Sequence, residues 1–256
     1  MRVPFEQSSA LAALADVRHG FFGRQGGNSS GAYASLNMSE STGDNADIVA
    51  TNRARAVAAL GFGRPVLALA RQVHSATVIT VAGPPDWRTP PEADALVTNV
   101  PGIVLGILTA DCAPILLADP EAGVVGAAHA GWKGAAGGIV AATIDAMVKL
   151  GARPAAIVAA IGPAISSANY EVGPAFAADL IAGHREAARH VTRPEGGRVH
   201  FDLPGFVLGQ LQRAGVASVG NLGICTYADP ARYFSHRRAT HEGTRTGRQI
   251  ALIGRA

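Results

Sequence analysis

Short apolar runs follow one another between residues 66 and 128, and turn residues separate them before any long helix is predicted. Runs rich in Val, Ile, Leu and Thr that end at Gly, Pro or Asp are typical of buried strands. The predicted strands are 66–70, 76–81, 95–98, 103–109, 115–118 and 124–128, with a hairpin between the last two. Several strands in succession favour a mixed sheet with helices outside it over a strictly alternating βαβ fold.

The remainder of the chain alternates helices with strands. An apolar stripe predicts a helix over 44–61, capped by Asp44 or Asp47, and Asp202 is the predicted cap of a later helix. The predicted helices are 44–61, 138–150, 174–181 and 203–214, and the predicted later strands are 156–161, 216–220 and 249–253. Neither a repeat nor a linker divides the chain, so we expect one domain over residues 1–256.

Composition excludes several classes of protein. Hydrophobic residues make up 48% and charged residues 16% of the chain, which excludes wholesale disorder. Two cysteines, Cys112 and Cys225, are too few for a disulfide-stapled secreted scaffold. The net charge of +3 is spread without a polybasic run, so we expect no nucleic-acid partner.

Membrane association and export are not predicted either. Residues 1–7 have no apolar core of the kind a signal peptide needs. The longest apolar stretch, 102–117, contains Asp111 and Pro114 and is too short and too polar to span a bilayer. We therefore expect a cytoplasmic protein.

Three candidate metal ligands stand at the ends of apolar runs: His74, Cys112 and His129. Separations of 38 and 17 residues match no zinc-finger spacing. Strand ends on one sheet edge can nevertheless bring distant residues together, and one Cys with two His suits zinc or copper. Three ligands leave a fourth position open, as catalytic zinc sites do.

The same atoms allow other interpretations. Cys112 with either histidine could form a thiolate–imidazole nucleophile pair, or all three could be ordinary buried side chains. Asp111, beside Cys112, could accept a hydrogen bond from a ligand imidazole or act as a general base. Cys225 is predicted to be a buried thiol without a role.

Several polar residues could contact a substrate. Gln72 shares a strand face with His74 whereas Arg71 lies on the other face, which makes Gln72 the nearer neighbour of the site. Lys133 lies in a glycine loop that enters a helix, where an anion could bind. Arg248 belongs to a group of C-terminal arginines that could hold phosphate. No nucleotide-binding glycine motif is present.

Several blocks of the sequence resemble the signature of the laccase-domain family, first labelled multicopper polyphenol oxidases. The resemblance rests on Arg71-Gln72-Val73-His74, Thr109-Ala110-Asp111-Cys112-Ala113-Pro114 and His129-Ala130-Gly131-Trp132-Lys133-Gly134, with further blocks such as Tyr33-Ala34-Ser35-Leu36-Asn37 and Thr246-Gly247-Arg248. Together the blocks extend from about residue 19 to 253. Where many relatives have a cysteine after Ile-Gly-Pro, this chain has Ala164, so no role is assigned to an extra thiol.

The resemblance implies an α/β (α+β) fold, in which packed mixed β-sheets in a single domain are flanked by helices. It implies metal ligands at His74, Cys112 and His129, with Zn²⁺ as the metal and copper as the alternative. Many members are described as zinc-dependent purine nucleoside phosphorylases, some of which also deaminate adenosine. Purine nucleosides and inorganic phosphate are then the expected partners. On chemical grounds, and not from the resemblance, we expect Asn37, Arg71, Gln72, Lys133 and Arg248 to contact substrate and Asp111 to carry protons.

Three alternative functions were considered, and the histidine count argues against the first of them. A multicopper oxidase would need about ten histidine ligands, and the chain has eight histidines in all. A hydrolase that edits peptidoglycan precursors would use Cys112 or zinc against an amide. A metal-binding interaction protein would have no turnover.

Overall fold

Two β-sheets packed against each other form the centre of the computed structural model, which describes residues 3–63, 65–87 and 89–256. Met1 and Arg2, from the segment in which no signal peptide is predicted, lie outside the described residues. The strands are β1 (Phe5–Glu6), β2 (Val17–Phe22), β3 (Val66–Leu69), β4 (Val78–Thr80), β5 (Ala95–Thr98), β6 (Ile103–Thr109), β7 (Ala113–Asp119), β8 (Val124–Ala130), β9 (Val158–Ile161), β10 (Glu171–Val172), β11 (Val191–Thr192), β12 (Val199–Phe201), β13 (Ser218–Asn221) and β14 (Gln249–Arg255). The α-helices are α1 (Ser9–Ala12), α2 (Ala46–Ala59), α3 (Trp132–Ala136), α4 (Ile139–Lys149), α5 (Pro174–Gly183), α6 (Leu203–Arg213) and α7 (His236–His241).

Both large sheets are mixed. The five-stranded sheet has the order β1-β2-β14-β6-β3, and only its β3–β6 pair is parallel among the described strands. The six-stranded sheet has the order β13-β9-β7-β8-β5-β4, with parallel pairs at both edges. A small third sheet has the order β10-β12-β11. The expected mixed α/β architecture is confirmed.

Alternate residues of the central strand β7 face two different layers. Leu116 and Ala118 pack against the five-stranded sheet, whereas Ile115 and Leu117 pack against the layer that contains α4 and α6. The outer face of the five-stranded sheet is covered by α2. Strands buried on both faces have no polar positions to alternate with, which explains the continuous apolar runs in the sequence.

Strands 95–98 and 103–109 are predicted with their observed ends, but two other predictions need correction. The cap of α2 is Asn45, not Asp44 or Asp47, because its side-chain oxygen accepts from the amides of residues 47 and 48. Strand β2 was missing from the prediction, since Arg18 and His19 interrupt its apolar pattern. Asp202 caps α6 as predicted, and its side chain accepts from the amide of Gly205. None of the described helices combines the length and the apolar composition that a bilayer crossing requires.

A buried histidine in β2 makes stability depend on pH. Burial lowers the pKa of His19 to about 4 from 6.5, and its Nε2 accepts a hydrogen bond from the amide of Ser8 at 2.9 Å. The unfolded chain therefore binds a proton between pH 6.5 and 4 that the folded chain does not bind. From this group, stability is complete above pH 6.5 and decreases as the pH falls through that window.

We predict that the free energy of unfolding falls by up to about 1.4 kcal/mol per pH unit more in the wild-type chain than in His19→Gln between pH 6 and 4. Glutamine keeps an acceptor for Ser8 but has no titrating group. Urea unfolding at several pH values measures the difference, and parallel slopes for the two proteins would contradict it.

Candidate functional site

The structure brings His74, Cys112 and His129 together into one cluster. One ligand atom from each lies within 4.8 Å of the other two. The Cys112 Sγ is 3.9 Å from the His74 Nε2, and the two imidazole rings are 4.7 Å apart at an angle of 80°. Exposure increases from buried His129 through half-buried Cys112 to exposed His74. The cluster is therefore closed on one side and open to solvent on the other.

Two chain connections between the large sheets form the cluster. The segment 70–77 links β3 of the five-stranded sheet with β4 of the six-stranded sheet, and it carries His74. Residues 110–112 link β6 with β7 in the same way and carry Cys112. His129 lies in β8, directly opposite Pro114 of β7. The cluster thus lies at the boundary between the two sheets.

Asp94, which immediately precedes β5, orients both histidines. Its Oδ1 lies 2.8 Å from the Nδ1 of His129, which leaves the Nε2 of that ring for a metal. Its carboxylate also accepts the backbone amides of Val73, His74 and Ser75 at 2.6–3.2 Å. A carboxylate that fixes a ligand imidazole from behind is a recurrent feature of zinc sites.

Asp94, and not Asp111, is the acceptor for a ligand imidazole. Asp111 instead accepts hydrogen bonds from the side chains of Thr226 and Ser235 and from the amide of Arg237, at 2.6, 3.0 and 2.6 Å. All three donors come from the C-terminal part of the chain. Because its two oxygens bind three groups of this part of the chain, we interpret Asp111 as a residue that positions the C-terminal segment.

Two residues of the site have an unusual backbone conformation. His74 has φ of 61° and Asp111 has φ of 88°, and they are the only non-glycine residues with positive φ among those described. Such conformations cost about 1–3 kcal/mol each and persist where surrounding contacts impose them. The hydrogen bonds from the amides of residues 73–75 to Asp94 fix the backbone at His74. The three hydrogen bonds that the Asp111 carboxylate accepts fix Asp111.

Negative charge on the Cys112 thiol and positive charge on the buried His129 imidazole favour each other. Burial opposes charge on Cys112, but the neighbouring His129 outweighs it and lowers the pKa of the thiol to about 6. Burial likewise opposes charge on His129, but Cys112 and Asp94 raise the pKa of that imidazole to about 9. Burial also opposes charge on Asp94, yet hydrogen bonds from His129 and Ser75 lower its pKa. The site therefore favours the thiolate that a metal requires.

Gly131 is required for the close approach of two ligands. A Cβ atom at this position would lie 2.8 Å from the His74 Cδ2 and 3.1 Å from the Cys112 Sγ. Its φ of −74° is ordinary, so the requirement is one of space and not of backbone conformation. The donor set, the Asp94 support and this cradle together fit a metal with nitrogen and sulfur ligands.

Two clefts meet at the cluster. One has a volume of about 400 Å³ and is lined by Trp132, Tyr170 and Lys133, among others. The other has a volume of about 560 Å³ and contains the side chains of Arg71 and Arg248 as well as serine and threonine hydroxyls. The cluster therefore lies between an aromatic cleft and an arginine-lined cleft, and a ligand in either one can reach it.

Arg248 directly precedes β14 and lines the arginine-lined cleft. Burial lowers the pKa of its guanidinium, and the nearby charges of Cys112 and Asp111 oppose that shift. Its Nη1 donates to the carbonyls of Thr246 and Gly247. Asn37 does not line either cleft: it is fully buried, and its Oδ1 accepts the amide of Arg248 at 2.9 Å. Asn37 thus positions the arginine backbone.

The other predicted substrate contacts differ in whether their polar atoms already bind other groups of the protein. Both amide atoms of Gln72 bind the backbone of Leu108 at 2.8 Å, which attaches segment 70–77 to β6. Arg71 forms an exposed ion pair with Glu92. Lys133 lines the aromatic cleft, with its Nζ 5.7 Å from the ring centre of Trp132. Of these three, only Lys133 is not engaged by another described side chain or backbone group through an ion pair or hydrogen bond.

Sequence reasoning missed the role of Asp94. The signal available was an acidic residue directly before a buried strand, a place where a carboxylate needs partners. The prediction that Cys225 is buried is wrong. It is half-exposed, and its Sγ accepts hydrogen bonds from Ser166 and Asn169 at 3.1–3.3 Å.

Comparison with known proteins gives consistent matches over nearly the whole chain. A profile of the family described as multi-copper polyphenol oxidoreductase laccase matches residues 18–256. A protein of Deinococcus radiodurans named purine nucleoside phosphorylase is 47% identical over 238 residues, which are 93% of this chain and 89% of that protein. A purine nucleoside phosphorylase of Corynebacterium glutamicum is 40% identical over 93% of this chain and 94% of its own.

Solved structures agree with these sequence matches. A Neisseria meningitidis protein has a TM-score of 0.87 and 33% identity, with 100% of this chain and 99% of that chain covered. The YlmD protein of Geobacillus stearothermophilus has a TM-score of 0.84 and 32% identity, with 99% of both chains covered. The resemblance inferred from the sequence blocks is confirmed.

We predict that Asp94→Asn weakens Zn²⁺ binding by about 10- to 100-fold, because His129 loses the charged acceptor that orients it. Competition with a chromophoric chelator measures the affinity. Asp119→Asn is the matched control, since Asp119 is also buried and accepts the amides of Glu121, Ala122 and Arg153. Equal losses of affinity in the two variants would mean that Asp94 acts only through general stability.

Proposed function

Since the chain belongs to the family described as multi-copper polyphenol oxidoreductase laccases, whose curated relatives matched here are named purine nucleoside phosphorylases, we propose that it cleaves purine nucleosides with inorganic phosphate. The products are the free purine and ribose 1-phosphate. One observation carries the proposal: a histidine–cysteine–histidine cluster lies where two clefts meet. The reaction needs two substrates to meet at one carbon atom, and each cleft offers one of them a place.

His74, Cys112 and His129 would hold the metal, which we propose to be Zn²⁺. When bound, zinc supplies a Lewis acid that withdraws charge from an oxygen ligand. The protein residues do the rest of the positioning: Asp94 holds His129 by its ring and His74 by its backbone. Copper is the alternative metal for the same three ligands.

Phosphate is proposed to occupy the arginine-lined cleft. Arg248 is the principal contact because it is half-buried, lines the cleft beside the cluster, and binds described protein groups only through the Nη1 of its guanidinium. Nε and Nη2 can then form the paired hydrogen bonds that guanidinium makes with phosphate. Arg71 reaches the same cleft and would have to exchange its exposed ion pair with Glu92 for the anion.

The purine is proposed to occupy the aromatic cleft. Trp132 and Tyr170 offer ring faces there, and Lys133 offers a hydrogen-bond donor. Arg237 lies over the Tyr170 ring at 5.3 Å, which holds that ring in place. In this arrangement the ribose lies at the junction of the clefts. Asn37 and Gln72 contribute by holding Arg248 and segment 70–77 in position.

The multicopper oxidase alternative finds little support in the site. Only one cluster of three or more potential metal ligands is found in the described part of the chain. Several coppers would need several such clusters. Adenosine deamination at the same centre is a further proposal, which a reaction without phosphate separates from phosphorolysis. The cytoplasmic location stays a prediction from the sequence.

We predict that the Zn²⁺-loaded protein converts adenosine to adenine and ribose 1-phosphate only when phosphate is added. Cys112→Ala should lose at least about 100-fold of this activity, because one of three metal ligands is removed. Chromatography of the bases, together with an assay for ribose 1-phosphate, measures both products. Inosine formed without phosphate would instead identify deamination.

Cys225→Ser is the matched control for this experiment, because Cys225 is the other cysteine of the chain and lines neither cleft. It should retain activity within about threefold. Turnover that is independent of phosphate, or full activity in Cys112→Ala, would overturn the proposed function.

A further inference from the structure

Four residues line both clefts: His74, Ala110, Cys112 and His236. His74 and Cys112 belong to the histidine–cysteine–histidine cluster, and the side chain of alanine has no functional group. The fourth, His236, is the first residue of α7 and is exposed, so its ring is accessible to a ligand. The proposed function gives it no role so far, yet it lies at the junction where the ribose is placed.

Asp111 forms hydrogen bonds with the residues on both sides of His236. Its Oδ2 accepts the Ser235 hydroxyl at 3.0 Å and the Arg237 amide at 2.6 Å. The Ser235 hydroxyl oxygen also accepts the amide of Arg238, which caps the helix. Because Asp111 directly precedes Cys112, these contacts hold His236 at a fixed place beside the metal cluster.

Other polar groups at the junction are less suited to donate a proton. The oxygens of the Asp111 carboxylate already accept three hydrogen bonds, and Asp111 lines only the aromatic cleft. Burial raises the pKa of Tyr170 to about 12, which makes its hydroxyl a weak acid. Lys133 lines only the aromatic cleft. Imidazole is the side chain that exchanges protons most readily near neutral pH.

We propose that His236 is a catalytic residue that protonates the departing purine, an inference that rests on the proposed function. An oxygen of HPO₄²⁻ forms a bond to C1′ of the ribose while the C1′–N9 bond breaks. The electron pair of that bond passes to the purine, and the imidazolium of His236 gives its proton to N7. The neutral imidazole then takes a proton from solvent, which restores the starting state.

The test compares guanosine with 7-methylguanosine in the Zn²⁺-loaded wild type and in His236→Gln. The methylated base already carries a positive charge and leaves without a proton. His236→Gln should lower kcat for guanosine by about 100-fold or more, with KM within about threefold. For 7-methylguanosine, kcat should stay within about threefold of the wild type.

His241→Gln is the matched control, since His241 lies on the same helix but lines neither cleft. It should leave both reactions within about threefold. Zinc content and the midpoint of thermal unfolding show whether His236→Gln is folded. If it is not, or if the wild type rejects 7-methylguanosine, His236→Ala is assayed on guanosine with added imidazole, which should restore at least about tenfold of the activity.

Equal losses on the two nucleosides, a loss below about threefold on guanosine, or absence of imidazole rescue would overturn the role of His236 while leaving phosphorolysis intact. A wild-type protein that cleaves neither of these nucleosides nor adenosine would overturn the proposed function, and the role of His236 with it; if adenosine alone is a substrate, it replaces guanosine in the imidazole rescue. The two failures are therefore distinguished by the wild-type reaction alone.

Discussion

The carboxylate of Asp94 is the interaction on which the geometry of the cluster depends. It forms a hydrogen bond with the Nδ1 of His129 and accepts the backbone amide of His74, together with the amides of the two residues that flank His74. A buried carboxylate without partners would be costly, and here the donors that satisfy it are those that must be held in place. One side chain thus fixes the tautomer of His129 and imposes the left-handed conformation of His74.

The two clefts derive from the same architecture. A ligand cluster built on connections between two sheets is accessible from either side of the boundary, because each connection leaves one sheet before it enters the other. One side receives its lining from α3 and the small-sheet region, which supply Trp132 and Tyr170. The other receives Arg248 from the approach to β14. An enzyme that joins two chemically different substrates benefits from such separate approaches.

Much of the sheet architecture could be predicted from the sequence, because β5 to β8 are buried on both faces and their apolar runs are unbroken. Strand β2 could not be predicted, since its polar residues are accommodated by particular contacts, such as the hydrogen bond that the amide of Ser8 donates to His19. His74, Cys112 and His129 were predicted as ligands from their places at the ends of apolar runs and from the family resemblance, and the structure places the three side chains together. The roles of Asp94, Asn37 and Gln72 depend on partners 15 to 211 residues away, and no local pattern contains them.

The position of the cluster between the sheets also has a consequence for how the chain folds. Neither sheet alone contains the three side chains of the cluster. His74 and Cys112 lie on connections that join the two sheets, and His129 lies in β8 of the six-stranded sheet. Either sheet could form its hydrogen bonds before docking, but the ligands converge only when docking is complete. The metal affinity proposed for the cluster would therefore be a property of the finished fold, and a bound ion would preferentially slow the separation of the sheets. The ion proposed to take part in the reaction would then also stabilise the docked sheets against partial unfolding.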